Sequence, residues 1–157
     1  MIRVGLVGAI GYGGRELIRL IGLHPEAKLV AAAELEGGKR IEELLPAFGK
    51  TTDVVCETFD AKRLAETCDA VFIAVPGTKS MELGKALYEA GVRTLDMGAD
   101  FRLKDMGDFE TFYKAKHTCP EVVREAVYGF VPYHRDAIRD ANSWPCRGAI
   151  PSAALRP

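Results

Sequence analysis

Three glycines near the start of the chain, Gly8, Gly11 and Gly14, have a spacing that suits phosphate binding. In a strand-to-helix turn, the first glycine permits a sharp bend, the second lets the backbone approach a pyrophosphate, and the third lets helix and strand pack closely. The first amide groups of the helix then point at the anion. The spacing Gly-x-x-Gly-x-x-Gly is a variant of the commoner Gly-x-Gly-x-x-Gly, and a purely structural turn is the alternative interpretation.

The elements that must position this turn flank it directly. Residues 4–7 form a short apolar run that predicts a buried strand, and residues 15–23 have the apolar periodicity of a helix. Strands and helices then alternate along the chain. We predict a second strand at 28–33, a short helix or turn at 42–45, a strand at 53–57, a helix at 60–67, a strand at 70–75, a helix at 80–90 and a strand at 92–97.

This alternation predicts an α/β fold, a Rossmann-like doubly wound parallel sheet with right-handed crossovers. Ligands of such sheets bind beyond the carboxyl ends of the strands. The glycine turn, residues 74–77 and residues 98–102 therefore share one rim. The predicted cofactor contacts on that rim are Gly8, Ile10, Gly11, Tyr12, Gly13, Gly14, Glu34, Ala74 and Pro76.

Five charged residues could set the specificity of that rim. Glu34 follows the second strand, about 20 residues after the turn, where a carboxylate accepts the ribose hydroxyls of NAD and repels the 2′-phosphate of NADP. Lys39 and Arg40 could act in the opposite direction, and a solvated carboxylate is the alternative for Glu34. Asp100 and Arg102 are candidates for substrate binding, with a structural pair between them as the alternative.

Composition and charge exclude several classes of function. The formal net charge of −1 gives no electrostatic reason to expect nucleic acid or an anionic membrane as a partner. No stretch approaches the roughly 18 apolar residues of a membrane span, and we expect a cytoplasmic protein. The four cysteines lack CxxC spacing, so neither a metal site nor a disulfide framework is predicted. They are Cys56, Cys68, Cys119 and Cys146.

The region after the last predicted strand has a different texture. Residues 127–132 form a short β-like run closed by a proline. His117 and His134 are predicted to be surface histidines. No internal repeat or low-complexity tract is present.

Several separated motifs together resemble one enzyme family, N-acetyl-gamma-glutamyl-phosphate reductase, a relative of aspartate-semialdehyde dehydrogenase. They follow one another in order along essentially the whole chain. They are VGAIGYGGREL at 7–17, LHPE at 23–26, SMEL at 80–83, ADFRL at 99–103 and VYG at 127–129.

The resemblance implies NADPH-dependent reduction of a small acyl phosphate to a semialdehyde, a step of arginine biosynthesis. A cysteine thiolate displaces phosphate, the thioester accepts hydride from the nicotinamide, and a histidine acts as acid and base. It also implies a homo-oligomer and a second, substrate-binding domain. On this basis we expect a dinucleotide-binding domain over residues 1–142 and only the start of the catalytic domain over 143–157.

The chain departs from the family pattern at three places. The threonines of the family's turn correspond to Ile10 and Gly13. Residues 34–38 replace the family's serine and arginine for the NADP phosphate, so NAD is a possible cofactor. The family's nucleophile falls on Ala149, whose methyl group cannot attack an acyl phosphate. Cys146 is the candidate substitute, and a thiol without a catalytic role is the alternative.

A shifted reading frame would account for the third departure. Residues 143–151 can be written TCG TGG CCG TGC CGG GGT GCT ATC CC, which from the third base reads GTG GCC GTG CCG GGG TGC TAT CCC. Those codons spell Val-Ala-Val-Pro-Gly-Cys-Tyr-Pro, the strand and nucleophile motif of the family. Our hypothesis is that this segment is written in a shifted frame that is restored by Pro151 or Ser152.

Two competing interpretations remain open from the sequence. One is an enzyme of the same class with a different substrate, either aspartate-semialdehyde dehydrogenase or the lysine-pathway counterpart. The other is a dinucleotide-binding module without catalytic activity, which the loss of the cysteine motif favours.

Overall fold

The structure is a computed structural model that describes residues 1–34, 37, 39–46 and 52–140. Its strands are β1 (Ile2–Val7), β2 (Ala27–Glu34), β3 (Lys39–Arg40), β4 (Val55–Thr58), β5 (Ala70–Ile73) and β6 (Thr94–Asp96). Its helices are α1 (Tyr12–Leu23), α2 (Ile41–Leu44), α3 (Ala61–Thr67), α4 (Ser80–Glu89), α5 (Met106–Tyr113), α6 (Pro120–Glu125) and α7 (Val131–Asp140).

Within the described residues, the strands form one sheet of six in the order β3-β4-β2-β1-β5-β6. The chain starts in the middle and winds outward to both edges, which is the topology of a doubly wound sheet. All pairs are parallel except β3 with β4, which is antiparallel. The predicted α/β class is therefore confirmed, and the sheet is mixed rather than purely parallel because the two-residue edge strand β3 is too short to show in the pattern.

The sheet buries an apolar core on each of its faces. Alternate residues of the strands point to opposite faces, so Leu6 and Val7 in β1 belong to different cores. One core contains residues from α1 and α2, including Ile18 and Ile41. The other contains residues from α3, α4, α5 and α6, such as Phe109. This burial fixes the register of the strands and with it the position of their carboxyl ends.

Local capping explains where several helices begin. The carboxylate of Asp60 accepts hydrogen bonds from the amides of Lys62 and Arg63, which caps α3. Asp105 caps α5 in the same way by accepting from the amide of Asp108 at 2.9 Å. At the C-terminal end of α6, the ammonium group of Lys104 donates hydrogen bonds to the carbonyls of Val123, Arg124 and Ala126.

Two expectations about the last part of the chain are wrong, and helices there were missed. The run at 127–132 is not a strand, since α7 begins at Val131 with Pro132 in its first turn, a position that proline tolerates. The helices α5 and α6 went unpredicted. His117 is buried rather than on the surface, whereas His134 is exposed. None of the described helices is long and apolar enough to cross a bilayer.

Candidate functional site

The turn between β1 and α1 requires glycine at two positions. Gly8 has a φ of +89°, and a Cβ there would lie 2.5 Å from the carbonyl oxygen of Ala74. A Cβ at Gly14 would overlap the carbonyl oxygen of Gly8, because α1 packs directly on the turn. These contacts give the first and third glycines the roles that their spacing predicts: a sharp bend and close packing of helix on strand.

Gly11 and Gly13 are different, because each has room for a side chain. A Cβ at Gly11 would be 3.7 Å from its nearest neighbour, the carbonyl oxygen of Ala74, and a Cβ at Gly13 would be 3.7 Å from the Ala74 Cβ. Among the residues that the structure describes, nothing therefore excludes a side chain at Gly11. A ligand that approaches the backbone closely would exclude a side chain at this position.

The start of α1 suits an anion. Gly11 is its N-cap and offers no side-chain acceptor, and the first turn contains no acidic residue. The amides of Tyr12, Gly13 and Gly14 precede the first hydrogen bond of the helix, from the Arg15 amide to the Gly11 carbonyl. Tyr12 is 94% exposed, so this end of the helix is open to solvent. The residues present thus fit the pyrophosphate of a dinucleotide.

Glu34 at the end of β2 reaches the same turn. Its Oε1 accepts a hydrogen bond of 2.8 Å from the amide of Ile10. Glu34 is therefore part of the rim and not a carboxylate in a remote loop. The side of the turn that faces β2 carries a negative charge.

The segment after β5 flanks the turn on its other side. The amide of Ala74 donates to the carbonyl of Val7 at 2.8 Å, which extends the pairing of β5 with β1 by one residue. The chain then passes Pro76 to Thr78, which has a positive φ of 69°. The Thr78 amide donates to Oδ1 of Asp100 at 3.0 Å, so Asp100 holds this loop in place.

A buried polar cluster lies beneath the rim, and sequence reasoning missed two of its members. The Ser80 hydroxyl is 2.8 Å from Oδ2 of Asp100 and 3.1 Å from Oδ2 of Asp96, and all three side chains are at most 1% exposed. Burial raises the pKa of Asp96 to about 6, against hydrogen bonds from Gly98 and Ser80 that lower it. The Ser80 hydroxyl has one hydrogen, so it donates to one of the two carboxylates at a time.

The positions of Asp100 and Arg102 bear on their predicted roles. The Asp100 carboxylate is 1% exposed and binds Thr78 and Ser80, so its observed contacts position the loop after β5. The charge of Arg102 is close enough to Asp96 to lower the pKa of that carboxyl slightly. Substrate binding by Asp100 and Arg102 stays a prediction.

His117 is a further buried polar residue next to this cluster. Its Nδ1 accepts from the amide of Cys119 at 3.1 Å, and its Nε2 is 2.8 Å from the carbonyl oxygen of Asp100. The ring makes edge contacts with Phe101 and Phe109. The paired hydrogen bonds explain how a histidine is accommodated in the core.

The remaining candidate residues lie elsewhere. Ala149 and Cys146 are outside the described residues, as is the predicted domain boundary at 142. Cys56, Cys68 and Cys119 are free thiols, and burial raises the pKa of each. In the part of the chain that is described, no group of three or more His, Cys, Asp or Glu residues could hold a metal ion.

Fold and site together define a dinucleotide-binding domain of the doubly wound α/β class. The chain belongs to the family described as semialdehyde dehydrogenase, NAD binding domain, whose model matches residues 3–141. This agrees with the resemblance drawn from the separated motifs.

Two reductases are similar to this chain over almost its whole length. N-acetyl-gamma-glutamyl-phosphate reductase of Halorhodospira halophila is 44% identical over 98% of this chain and 44% of that protein. The enzyme of the same name from Janthinobacterium sp. is 42% identical over 97% of this chain and 44% of that protein. The chain thus spans less than half the length of these relatives.

A solved structure supports the fold. Aspartate semialdehyde dehydrogenase from Candida albicans, crystallised with NADP, superposes with a TM-score of 0.59 over 68% of this chain and 32% of that chain, at 22% sequence identity.

Proposed function

We propose that this chain is the cofactor-binding half of an NADPH-dependent reductase. The reductase converts N-acetyl-gamma-glutamyl phosphate to N-acetylglutamate semialdehyde and releases phosphate, a step of arginine biosynthesis. The substrate assignment is supported by the names of the relatives, which are 44% and 42% identical. The observation that carries the binding role is the glycine turn, with its exposed helix start and its bond to Glu34.

The residues of the rim divide the binding between them. The amides at the start of α1 would hold the pyrophosphate, and Glu34 would lie at the adenosine ribose. Ala74 and Pro76 flank the other side of the turn, where the nicotinamide end would lie. A bound nicotinamide supplies the hydride, and the rim fixes where that hydride is delivered.

The covalent step needs a thiolate that this chain does not hold at the expected place. Ala149 occupies the position of the family's cysteine and Cys146 lies three residues earlier. An alanine cannot form a thioester, so the written chain is expected to bind the dinucleotide without reducing an acyl phosphate. The homo-oligomer implied by the resemblance belongs to the full-length protein and stays a prediction.

A substrate panel tests the proposed function. The full-length gene product is assayed for NADPH oxidation with the acyl phosphates of N-acetylglutamate, aspartate and aminoadipate, each monitored for phosphate release. We expect turnover with the N-acetylglutamyl compound alone. Preference for either other compound would reassign the substrate, and cofactor binding with no turnover in a gene product that carries the cysteine would favour a non-catalytic module.

A further inference from the structure

We propose that Arg15 recognises the 2′-phosphate of NADPH and offsets the carboxylate of Glu34. This inference rests on the proposed function, since it names the residue that selects between the two dinucleotides. It differs from the sequence-based candidates, Lys39 and Arg40.

Arg15 and Glu34 bind the same residue of the turn. The Nε of Arg15 donates to the carbonyl oxygen of Ile10 at 2.7 Å, and the amide of Ile10 donates to Oε1 of Glu34 at 2.8 Å. The amide nitrogen and carbonyl oxygen of one residue are separated by only about 3 to 4 Å, because three covalent bonds join them. A cation and an anion are therefore held within a few ångströms of one turn residue.

The remaining donors of Arg15 suit a phosphate. Within the described part of the chain, its Nη groups make no hydrogen bond or ion pair, and the residue is exposed. A guanidinium presents two parallel N–H groups that match a phosphate, and the Nε bond to Ile10 already orients the fork. Less side-chain entropy is then lost when the phosphate binds.

Lys39 and Arg40, the candidates from the sequence, are less well placed to bind the 2′-phosphate. Glu34 pairs with Thr58 of β4, whereas Lys39 and Arg40 lie opposite Cys56 and Val55 on the far side of that strand. The antiparallel β3 runs away from the rim and is separated from β2 by β4, two strand spacings or roughly 10 Å. Arg40 also lies 3.8 Å from a carboxylate oxygen of Glu42.

The chemistry of the two cofactors gives Arg15 a specific task. NADP differs from NAD by a phosphate on the ribose hydroxyl that an acidic residue after the second strand would otherwise bind. Glu34 alone would repel that phosphate. Arg15, which binds the same turn residue, supplies a positive charge. The charges of Arg15 and Glu34 would then cancel, so that this pair would not repel the phosphate.

The test compares two probes that differ only in the 2′-phosphate, adenosine 2′,5′-bisphosphate and adenosine 5′-monophosphate. Their affinities are measured by calorimetry for the wild type, Arg15→Gln and Arg15→Lys, with Arg19→Gln as the matched control. Arg19 is exposed in the same helix and pairs with Glu16 at 2.6 Å. Melting temperatures are recorded for every variant.

We expect Arg15→Gln to weaken binding of the bisphosphate by about 10- to 100-fold and to leave binding of the monophosphate unchanged. This is the effect of losing one charge-assisted contact. Arg15→Lys should retain part of the preference, and Arg19→Gln all of it. Equal weakening of both probes would overturn the proposal, because Arg15 would then act only by holding the turn. No change in either affinity would overturn it as well.

The outcomes separate this inference from the proposed function. Binding of both probes by the wild type without preference would leave dinucleotide binding intact and overturn the role of Arg15. A wild type that binds neither probe would overturn both.

Discussion

The hydroxyl of Ser80 and the carboxylate of Asp100 form a buried hydrogen bond of 2.8 Å that joins the start of α4 to the segment after β6. The other carboxylate oxygen of Asp100 binds the amide of Thr78 in the loop beside the glycine turn. Because Ser80 also contacts Asp96, the two carboxylates and the hydroxyl form one hydrogen-bonded group beneath the rim.

The raised pKa of Asp96 predicts that the stability of the fold depends on pH. Its pKa is raised by burial to about 6 in the folded chain, so its protonated form is favoured by folding. This contribution is fully present below the pKa of the unfolded chain and is lost as the pH rises through the folded value. Relative to Asp96→Asn, the wild type should lose up to about 3 kcal/mol of unfolding free energy between roughly pH 4 and pH 6.

Chemical denaturation of both proteins across that range measures the effect. Asp53→Asn changes an exposed carboxylate and serves as the control for the loss of one carboxylate charge. Ser80→Ala removes a hydrogen bond that lowers the pKa of Asp96 and should extend the loss to higher pH. A constant difference between wild type and Asp96→Asn would contradict the assignment.

The contact between Gly84 and Phe101 predicts a destabilising Gly→Ala substitution in a helix. A Cβ at Gly84 would lie 2.7 Å from the ring of Phe101, which is 2% exposed. Overpacking costs about 1–3 kcal/mol, and the 2.7 Å approach to a buried ring favours the upper part of that range over the gain in helix propensity of about 1 kcal/mol. Gly84→Ala should therefore lower the unfolding free energy, as measured in urea.

A double-mutant cycle identifies the cause. Phe101→Leu removes the ring atoms that the new methyl group would meet, so Gly84→Ala should cost less in that background. Equal costs in both backgrounds would show that the ring is not responsible.

His117 predicts a single tautomer and a stabilising role. Because its Nδ1 accepts from the Cys119 amide, the proton lies on Nε2 and is donated to the Asp100 carbonyl. His117→Leu would leave both backbone groups buried without a partner and should cost at least about 2 kcal/mol. His134→Leu, at an exposed position, should stay within about 0.5 kcal/mol. Nitrogen chemical shifts that place the proton on Nδ1 would refute the assignment.

The features that could be predicted from the sequence have a different physical origin from the features that could not. The strand at 70–75 was predictable because a central parallel strand is apolar throughout. The burial of His117 was not, since it depends on Phe101 and Phe109, which meet only in the folded chain. The contact of Glu34 with Ile10 likewise depends on the geometry of the turn, although the position of Glu34 after β2 signalled its rim location.

The frame-shift hypothesis predicts a specific peptide. Trypsin cleaves after Arg139 and Arg147, so the written sequence gives a peptide over residues 140–147 that contains Trp144 and Cys146. If the frame is shifted, this peptide is absent from the native gene product, and a longer tryptic peptide that contains Val-Ala-Val-Pro-Gly-Cys-Tyr-Pro replaces it. Detection of the Trp144 peptide together with the written intact mass would reject the hypothesis.

We infer that a dinucleotide binds at the glycine turn, and calorimetric titration of the wild type and Gly11→Ala with NADPH and NADH is the experiment that tests this claim. Among the described residues, a Cβ at Gly11 meets nothing closer than 3.7 Å, so the variant should fold. Its melting temperature should fall by only a few degrees, because alanine is a poorer N-cap than glycine. We predict that the wild type binds NADPH and that Gly11→Ala weakens binding at least about 10-fold, because the methyl group occupies the approach of the pyrophosphate. Equal affinity in the folded variant, or no binding by the wild type, would contradict the claim.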